Sequence, residues 1–413
     1  MNVASVDKIR TQFPALARRE VGRPVAYFDG PGGTQVPQVV ARAVSDYLLH
    51  HNANTHWEYT TSGETDALLG RARRALGDFL GCTHHEVVFG ANMTTLTYHV
   101  GRALGRGMSE GDEILVTRLD HQANVAPWQA LAPERGVVIR EVGFEAATGT
   151  LDLASVEAAI NDRTRLVAIG RASNALGTVN DVPAIAEAAR AVGALVFVDA
   201  VHAAPHELPD VRALDCDLFV CSSYKMYGPH VGVLYARADL QESLDVPRLD
   251  CAPADPPERL ETGTLCHEGI VGAAAAVDFL ADLAHPGPRD SSTRRGCLAA
   301  TFDELALRSR GLVERMWEGL ALISGVTLYG PEPDQPRTPM VAFTVDGHDA
   351  GAVARSLSDQ SGVYVSHGDF YASTVVEDLG VGAGGLIRAG AACYSTPDEV
   401  YRLIQAVAEV ARS

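Results

Sequence analysis

Between about residues 70 and 240, short apolar runs alternate with stretches of helical spacing, and this alternation constrains the fold more than any other feature. "EVVFGA", "EILVT", "VVIREV", "RLVAIG", "ALVFVDA", "DLFVCS" and "VGVLYA" are rich in Val, Ile, Leu and Phe and read as strands. Between them, "TTLTYHVGRAL", "NVAPWQALAPE", "LASVEAAI" and "VPAIAEAARAV" read as helices. Strands that are apolar almost throughout must be covered on both faces, as in a mainly parallel sheet held between two helical layers. The last strand is expected to run antiparallel, because "YKMYGPH" is too short for a crossover helix. The fold class is therefore α/β, with a mainly parallel seven-stranded sheet sandwiched by helices.

Residues 241–262 are rich in Pro and Asp and read as a surface excursion. The helix "GIVGAAAAVDFLADL" follows, then the breaker "AHPGPRDSS". Beyond it come a long helix, "TFDELALRSRGLVERMWEGLAL", a strand, a helix and the closing helix "TPDEVYRLIQAVAEVAR". The expected division is an N-terminal segment (1–28), a large domain (29–288) and a smaller α+β domain (289–413). The N-terminal segment is expected to carry a helix near residues 5–20 and to pack with the smaller domain.

Composition narrows the functions. There are 34 basic and 52 acidic residues, net −18, which argues against nucleic acid or an anionic membrane as the main partner. "MNVASVDKIRTQFPAL" has no apolar signal core, and no apolar run is long enough to span a bilayer. Seven cysteines, an odd number without C-x-x-C pairs, fit reduced thiols and a cytoplasmic location. "GVGAGG", Gly380 to Gly385, follows a helix and precedes a strand, the reverse of a dinucleotide-binding turn. In "HAAPH", Pro205 breaks the helix that would put His202 and His206 on one metal-binding face, so no metal is expected.

The basic residues are 32 arginines and two lysines, Lys8 and Lys225. Arginine stays protonated, whereas a lysine amine can be tuned towards neutrality and can attack a carbonyl. Lys225, in "SSYKMYGP", follows a strand at the end where an open α/β sheet places its ligand crevice. The same end gathers Asp199 in "FVDAVH", His121 in "DHQANVAPW", Ser222, and Thr94 and Thr95 at a helix start, where free N–H groups favour a phosphate. Each has a plainer reading alone, as a cap, a turn or a core histidine. Together they supply what pyridoxal phosphate needs: an imine former, an acid for the pyridine nitrogen, a phosphate cup and a stacking ring.

With these residues in place, the chain resembles the cysteine-desulfurase branch of the fold-type-I pyridoxal-phosphate enzymes, also called class V aminotransferase-like. The resemblance runs from "YFDGPGGTQVP" to "YSTPDEVYRLIQAV", through "DHQANVAPWQAL", "ASNALGTVNDV", "VDAVHAAPH", "SSYKMYGPHVGVLY" and "ETGTL" in order. It implies that Lys225 carries pyridoxal 5'-phosphate as an imine, that Asp199 holds the pyridine nitrogen protonated, and that His121 stacks on the ring and handles protons. Thr94, Thr95 and Ser222 would bind the phosphate, with His202 and Asn174 near the ring's phenolic oxygen. Gly263 and Thr264 would reach the phosphate of a neighbouring subunit, which implies a homodimer with composite sites. Arg388 would bind the α-carboxylate of an amino-acid substrate, with Asn174 and His367 beside it.

The chain departs from the family twice. Tyr224 precedes the lysine where desulfurases usually carry histidine. The stretch that holds their mobile cysteine reads "VYVSHGDFYASTVVEDLG", without a cysteine. Cys266 and Cys393 lie elsewhere, and the commoner fate of such free cysteines is buried packing. The expected activity is a lyase-type β-elimination on a cysteine-like amino acid. An epimerase, a transaminase and a cofactor-binding protein without turnover remain open on the same residues.

Overall fold

A computed structural model describes residues 2–285 and 293–413. The seven expected strands form one sheet: β1 (Val87–Gly90), β2 (Glu113–Thr117), β3 (Val138–Val142), β4 (Thr164–Gly170), β5 (Leu195–Asp199), β6 (Leu218–Ser222) and β7 (Gly232–Ala236). Their spatial order is β1-β7-β6-β5-β4-β2-β3. All neighbours are parallel except those of β7, which runs antiparallel to β1 and β6 as its short connection requires. Side chains alternate across the sheet. Val196 and Val198 of β5 join one core cluster while Phe197 joins the other, and β6 divides Phe219 from Leu218 and Val220 in the same way. Burying such a side chain contributes roughly 1.5–3 kcal/mol. The two-sided core is why these strands read as continuous apolar runs.

The helices that matter to the site are α1 (Met93–Arg106), α2 (His267–Asp282), α3 (Arg294–Ala321), α4 (Ala350–Ser361) and α5 (Pro397–Val410). The smaller sheet contains β8 (Val326–Tyr329), β9 (Met340–Val345), β10 (Ser366–Gly368) and β11 (Leu386–Gly390), in the order β8-β9-β11-β10 with every pair antiparallel. Its core packs Val341, Phe343 and Ile387 against Leu357 of α4 and Leu403 and Val407 of α5. Helix α3 serves both units, since Leu298 and Phe302 enter the large core and Met316 and Leu320 the small one. The breaker 284–292, and with it the expected boundary at 288/289, lies almost wholly outside the described residues.

The N-terminal segment differs from expectation. Its helix covers only Val6–Arg10, because Pro14 opens a separate 3-10 turn, Pro14–Ala17. The segment also divides its contacts. Ile9, Phe13 and Leu16 enter the large core, whereas Ala26 and Phe28 enter the small one and Ala26 pairs with Val363. Arg10 meanwhile pairs with Glu399 at the start of α5.

Candidate active site

Lys225 sits in a short 3-10 turn, Ser223–Lys225, directly after β6. A distant strap clamps that turn. Thr34 donates from its N–H and its hydroxyl to the Tyr224 carbonyl, both at 3.2 Å, and accepts from the Tyr227 N–H at 2.8 Å. Gly33 allows the approach, since a Cβ there would stand 3.3 Å from the Tyr224 ring. Tyr227 is held left-handed, at φ 68°, with its hydroxyl accepting from the Cys393 N–H at 3.0 Å. The lysine is therefore buried on a rigid turn. Burial pushes its amine down to about 8, and the Arg388 charge pushes the same way against the pull of Asp199.

Asp199 ends β5, accepts from the Val201 N–H at 3.0 Å, and is pushed up to about 6 by burial. His121 begins a 3-10 turn and accepts the Ala123 N–H on Nδ1 at 2.9 Å, which leaves the proton of the neutral ring on Nε2. Burial, then the charges of Lys225 and Arg388, lower its pKa to about 4, so this ring is neutral at pH 7. His202 is buried with Nε2 2.8 Å from the Thr338 hydroxyl, while Nδ1 has no partner.

At the other end of the crevice, Asn92 caps α1 and exchanges hydrogen bonds with Thr95. The Thr95 hydroxyl thus serves the helix start, whereas the Thr94 hydroxyl donates only to the Met93 sulfur, at 3.5 Å. Ser222 Oγ accepts the Met93 N–H at 3.1 Å and ties β6 to α1. Strand β7 passes so close that a Cβ on Gly232 would stand 2.5 Å from the Asn92 carbonyl carbon.

Arg388, on β11, is almost fully buried. Its guanidinium donates to the Asn174 carbonyl at 2.5 Å and to Ser366 Oγ at 3.1 Å, lies 4.0 Å over the Phe370 ring, and stands 3.8 Å from Asp29. Asn174 donates to the Phe370 carbonyl at 2.8 Å and keeps Oδ1 without a partner. Phe370 and Tyr371 are both left-handed, and the Gln122 N–H reaches the Tyr371 carbonyl at 2.7 Å. Strand alternation separates His367 from Ser366. His367 lines the outer cavity, yet its imidazole lies over Gly351 at the start of α4 rather than beside the guanidinium.

These groups meet in two adjoining cavities. The inner one, about 570 Å³, is lined by Thr94, Thr95, His121, Asn174, Asp199, His202, Ser222 and Lys225. The outer one, about 860 Å³, adds Arg388 and His367 and shares Thr94, His121, Asn174, Tyr224 and Lys225 with the inner. Gly263 and Thr264 line a separate cavity with Trp57 and Leu249. Among the described residues no group of His, Cys, Asp and Glu could hold a metal ion, and the His202 and His206 rings simply meet edge to face. The inner cavity fits pyridoxal phosphate on its own chemistry: a buried amine, a buried acid, a helix start, and two buried polar atoms without partners, Asn174 Oδ1 and His202 Nδ1.

Sequence reasoning did not anticipate several neighbours. Asp120 accepts from the Gly170 N–H at 2.6 Å and from the Thr117 hydroxyl at 2.8 Å, and burial pushes it up to about 7. Its place beside His121 in "DHQ" was the available signal. Thr338, the partner of His202, lies 136 residues away and carried none.

The Aminotransferase class-V family model matches residues 26–290 and 297–403. The cysteine desulfurase of Pectobacterium carotovorum subsp. carotovorum is 31% identical over 423 residues, covering 98% of each chain. That of Serratia proteamaculans is 32% identical over 415 residues, covering 97% of this chain and 96% of its own. Among solved structures, the apo cysteine desulfurase of Thermococcus onnurineus superposes with a TM-score of 0.87 at 27% identity, covering 100% of this chain and 99% of that one. The Escherichia coli cysteine desulfurase CsdA gives 0.85 at 25% identity, with the same coverage.

Proposed function

We propose, from the premise that the chain belongs to the class-V aminotransferase family of pyridoxal-phosphate-dependent enzymes, that it is a lyase releasing the β-substituent of a cysteine-like amino acid without a protein persulfide. One observation carries this reading. None of the seven cysteines lines either cavity, and the loop before Arg388 presents the left-handed Phe370–Tyr371 pair instead. A persulfide mechanism needs a thiolate able to reach the substrate sulfur. Cys393 is buried beneath Tyr227 with its thiol pushed up to about 12, whereas Cys266, at the start of α2 beside Thr264 and Leu265, is exposed rather than packed, and its thiol too is pushed up, chiefly by partial burial.

Lys225 would hold the cofactor covalently, Asp199 would meet its pyridine nitrogen and His121 its face. Thr94, Thr95, Ser222 and the α1 N–H groups would take the phosphate, and His202 and Asn174 the phenolic oxygen. Pyridoxal phosphate, when bound, supplies an electron sink for the charge that develops at the substrate Cα. Arg388 binds the α-carboxylate in bidentate fashion, its guanidinium already planar against Phe370. Lys225 Nζ, freed when the substrate's amine displaces it from the cofactor, would take the α-proton, and the β-substituent departs with the electrons of its bond to Cβ. Neutral His121 keeps Nε2–H available to the departing group.

The substrate is an amino acid, and the working unit is a homodimer. Leu48, Leu49, Trp57, Tyr59 and Leu249 are exposed apolar side chains, and Trp57 and Leu249 flank Gly263 and Thr264. A second copy covering this belt would carry Thr264 to its neighbour's phosphate site.

The test is a panel of β-substituted amino acids, read for keto acid, ammonia and released thiol or sulfide, with intact mass measured on the same samples. Keto acid and ammonia without added mass on the protein is the expected result. A persulfide on Cys266 or Cys393, with turnover lost in Cys266→Ser or Cys393→Ser, overturns the reading.

A further inference from the structure

The outer cavity is larger than cysteine requires, and its rim is aromatic. Thr94 and Tyr98 lie one helical turn apart on the same face of α1, so the rim at Tyr98 stands about 6 Å farther along that helix than the inner site. Opposite α1, Tyr371 is 72% exposed and its ring centre lies 5.5 Å from that of His121, one ring outward from the inner cavity. A cysteine sulfur reaches only about 3 Å from its Cα, the sum of two bonds. An amino acid anchored by Arg388 needs a longer side chain to meet either tyrosine.

Tyr371 is also held where it stands. Its carbonyl accepts from the Gln122 N–H, its neighbour Phe370 is bonded to Asn174, and the helix that follows, Ser373–Asp378, is tied to Arg118 by a bidentate pair at 2.7 Å on both arms. A bulky residue accepts a left-handed backbone only where its surroundings enforce it. Here they fix the backbone that carries an aromatic ring at the mouth of the outer cavity.

We infer that the enzyme selects cysteine S-conjugates whose sulfur carries an aromatic or heteroaromatic group, received between Tyr371 and Tyr98. The inference rests on the lyase reading and names its substrate class. In the reaction the α-proton passes to Lys225 Nζ, and the Cβ–S bond breaks with its electron pair on sulfur, which leaves as the thiol after taking a proton. The three-carbon remainder adds water and yields pyruvate and ammonium.

The holoenzyme is assayed with S-benzyl-L-cysteine, S-methyl-L-cysteine and L-cysteine, read by pyruvate and free thiol or sulfide. Benzyl thiolate is the somewhat better leaving group, so recognition is read from how far the benzyl-to-methyl kcat/KM ratio falls when a tyrosine is replaced. The ratio is expected to favour benzyl by about tenfold or more. Tyr371→Asn, a residue that tolerates the left-handed backbone, and Tyr98→Ala should each cut it severalfold, and Tyr371→Phe should preserve it. A ratio near one, or one unmoved by both Tyr371→Asn and Tyr98→Ala, overturns the inference while leaving the lyase reading intact. No pyruvate from any of the three overturns the lyase reading and this inference with it.

Discussion

Lys225 is the most informative residue in the sequence, and folding changes its chemistry. Its amine falls to about 8 chiefly through burial. The attacking form is the neutral amine, so uptake of pyridoxal phosphate by cofactor-free protein should accelerate as pH rises through about 8 and level off above it, followed by absorbance after rapid mixing. The sign for stability is the same: a lysine with a lowered pKa binds fewer protons folded than unfolded between about pH 8 and 10.5, so this group makes the cofactor-free protein gain stability as pH rises through that window. Lys225→Arg keeps the charge and removes the nucleophile, and should abolish borohydride-fixed cofactor. Asp199→Asn should reduce kcat on the order of a hundredfold or more with a much smaller loss of cofactor affinity. An unchanged kcat would reduce Asp199 to a strand-end cap. At this scale the sequence was legible where a residue type was rare or chemically odd for its place, as with Lys225 and the strand-ending Asp199. It was opaque where a role depends on a distant partner. Thr338 beneath His202 and Thr34 on the Tyr224 carbonyl, 190 residues away, left no local mark.

At the scale of elements, strands announced themselves and close approaches did not. The seven strands of the large sheet were legible because burial on both faces forces continuous apolar runs, and the antiparallel β7 because its connection is short. The N-terminal helix was over-extended because its apolar residues continue past Pro14 into the large core without continuing the helix. The approach of β7 to the start of α1 depends on Gly232, whose missing Cβ leaves room for the Asn92 carbonyl. Gly232→Ala should cost about 1–3 kcal/mol, the usual range for overpacking, measured by urea unfolding. Because the strain falls on the first turn of α1, cofactor affinity should drop with stability. A destabilised variant with unchanged affinity would separate the glycine from the phosphate site.

At the scale of the whole molecule, the separate cavity holding Thr264 and the exposed apolar belt around it make sense together in a dimer. Light scattering should give twice the mass of one chain. Mixing Lys225→Ala with Thr264→Ala subunits should recover part of the activity lost in each alone, since one of the two hybrid sites then has both residues intact. Proven subunit exchange without recovery would mean that each site is built from one chain.

The packing of the N-terminal segment has a consequence for how the protein is made. Ile9, Phe13 and Leu16 are synthesised well before some of their partners: Phe13 rests against Phe279 and Tyr394, and Arg10 reaches the Tyr394 carbonyl across 384 positions of chain. At an elongation rate of about 5–20 residues per second, the ribosome needs roughly 20–80 s to deliver the last of these partners. Throughout that interval this apolar segment lacks the last of the side chains it packs against. Conditions that slow translation should lower the soluble yield of this protein, and chaperones that hold short apolar segments should restore it.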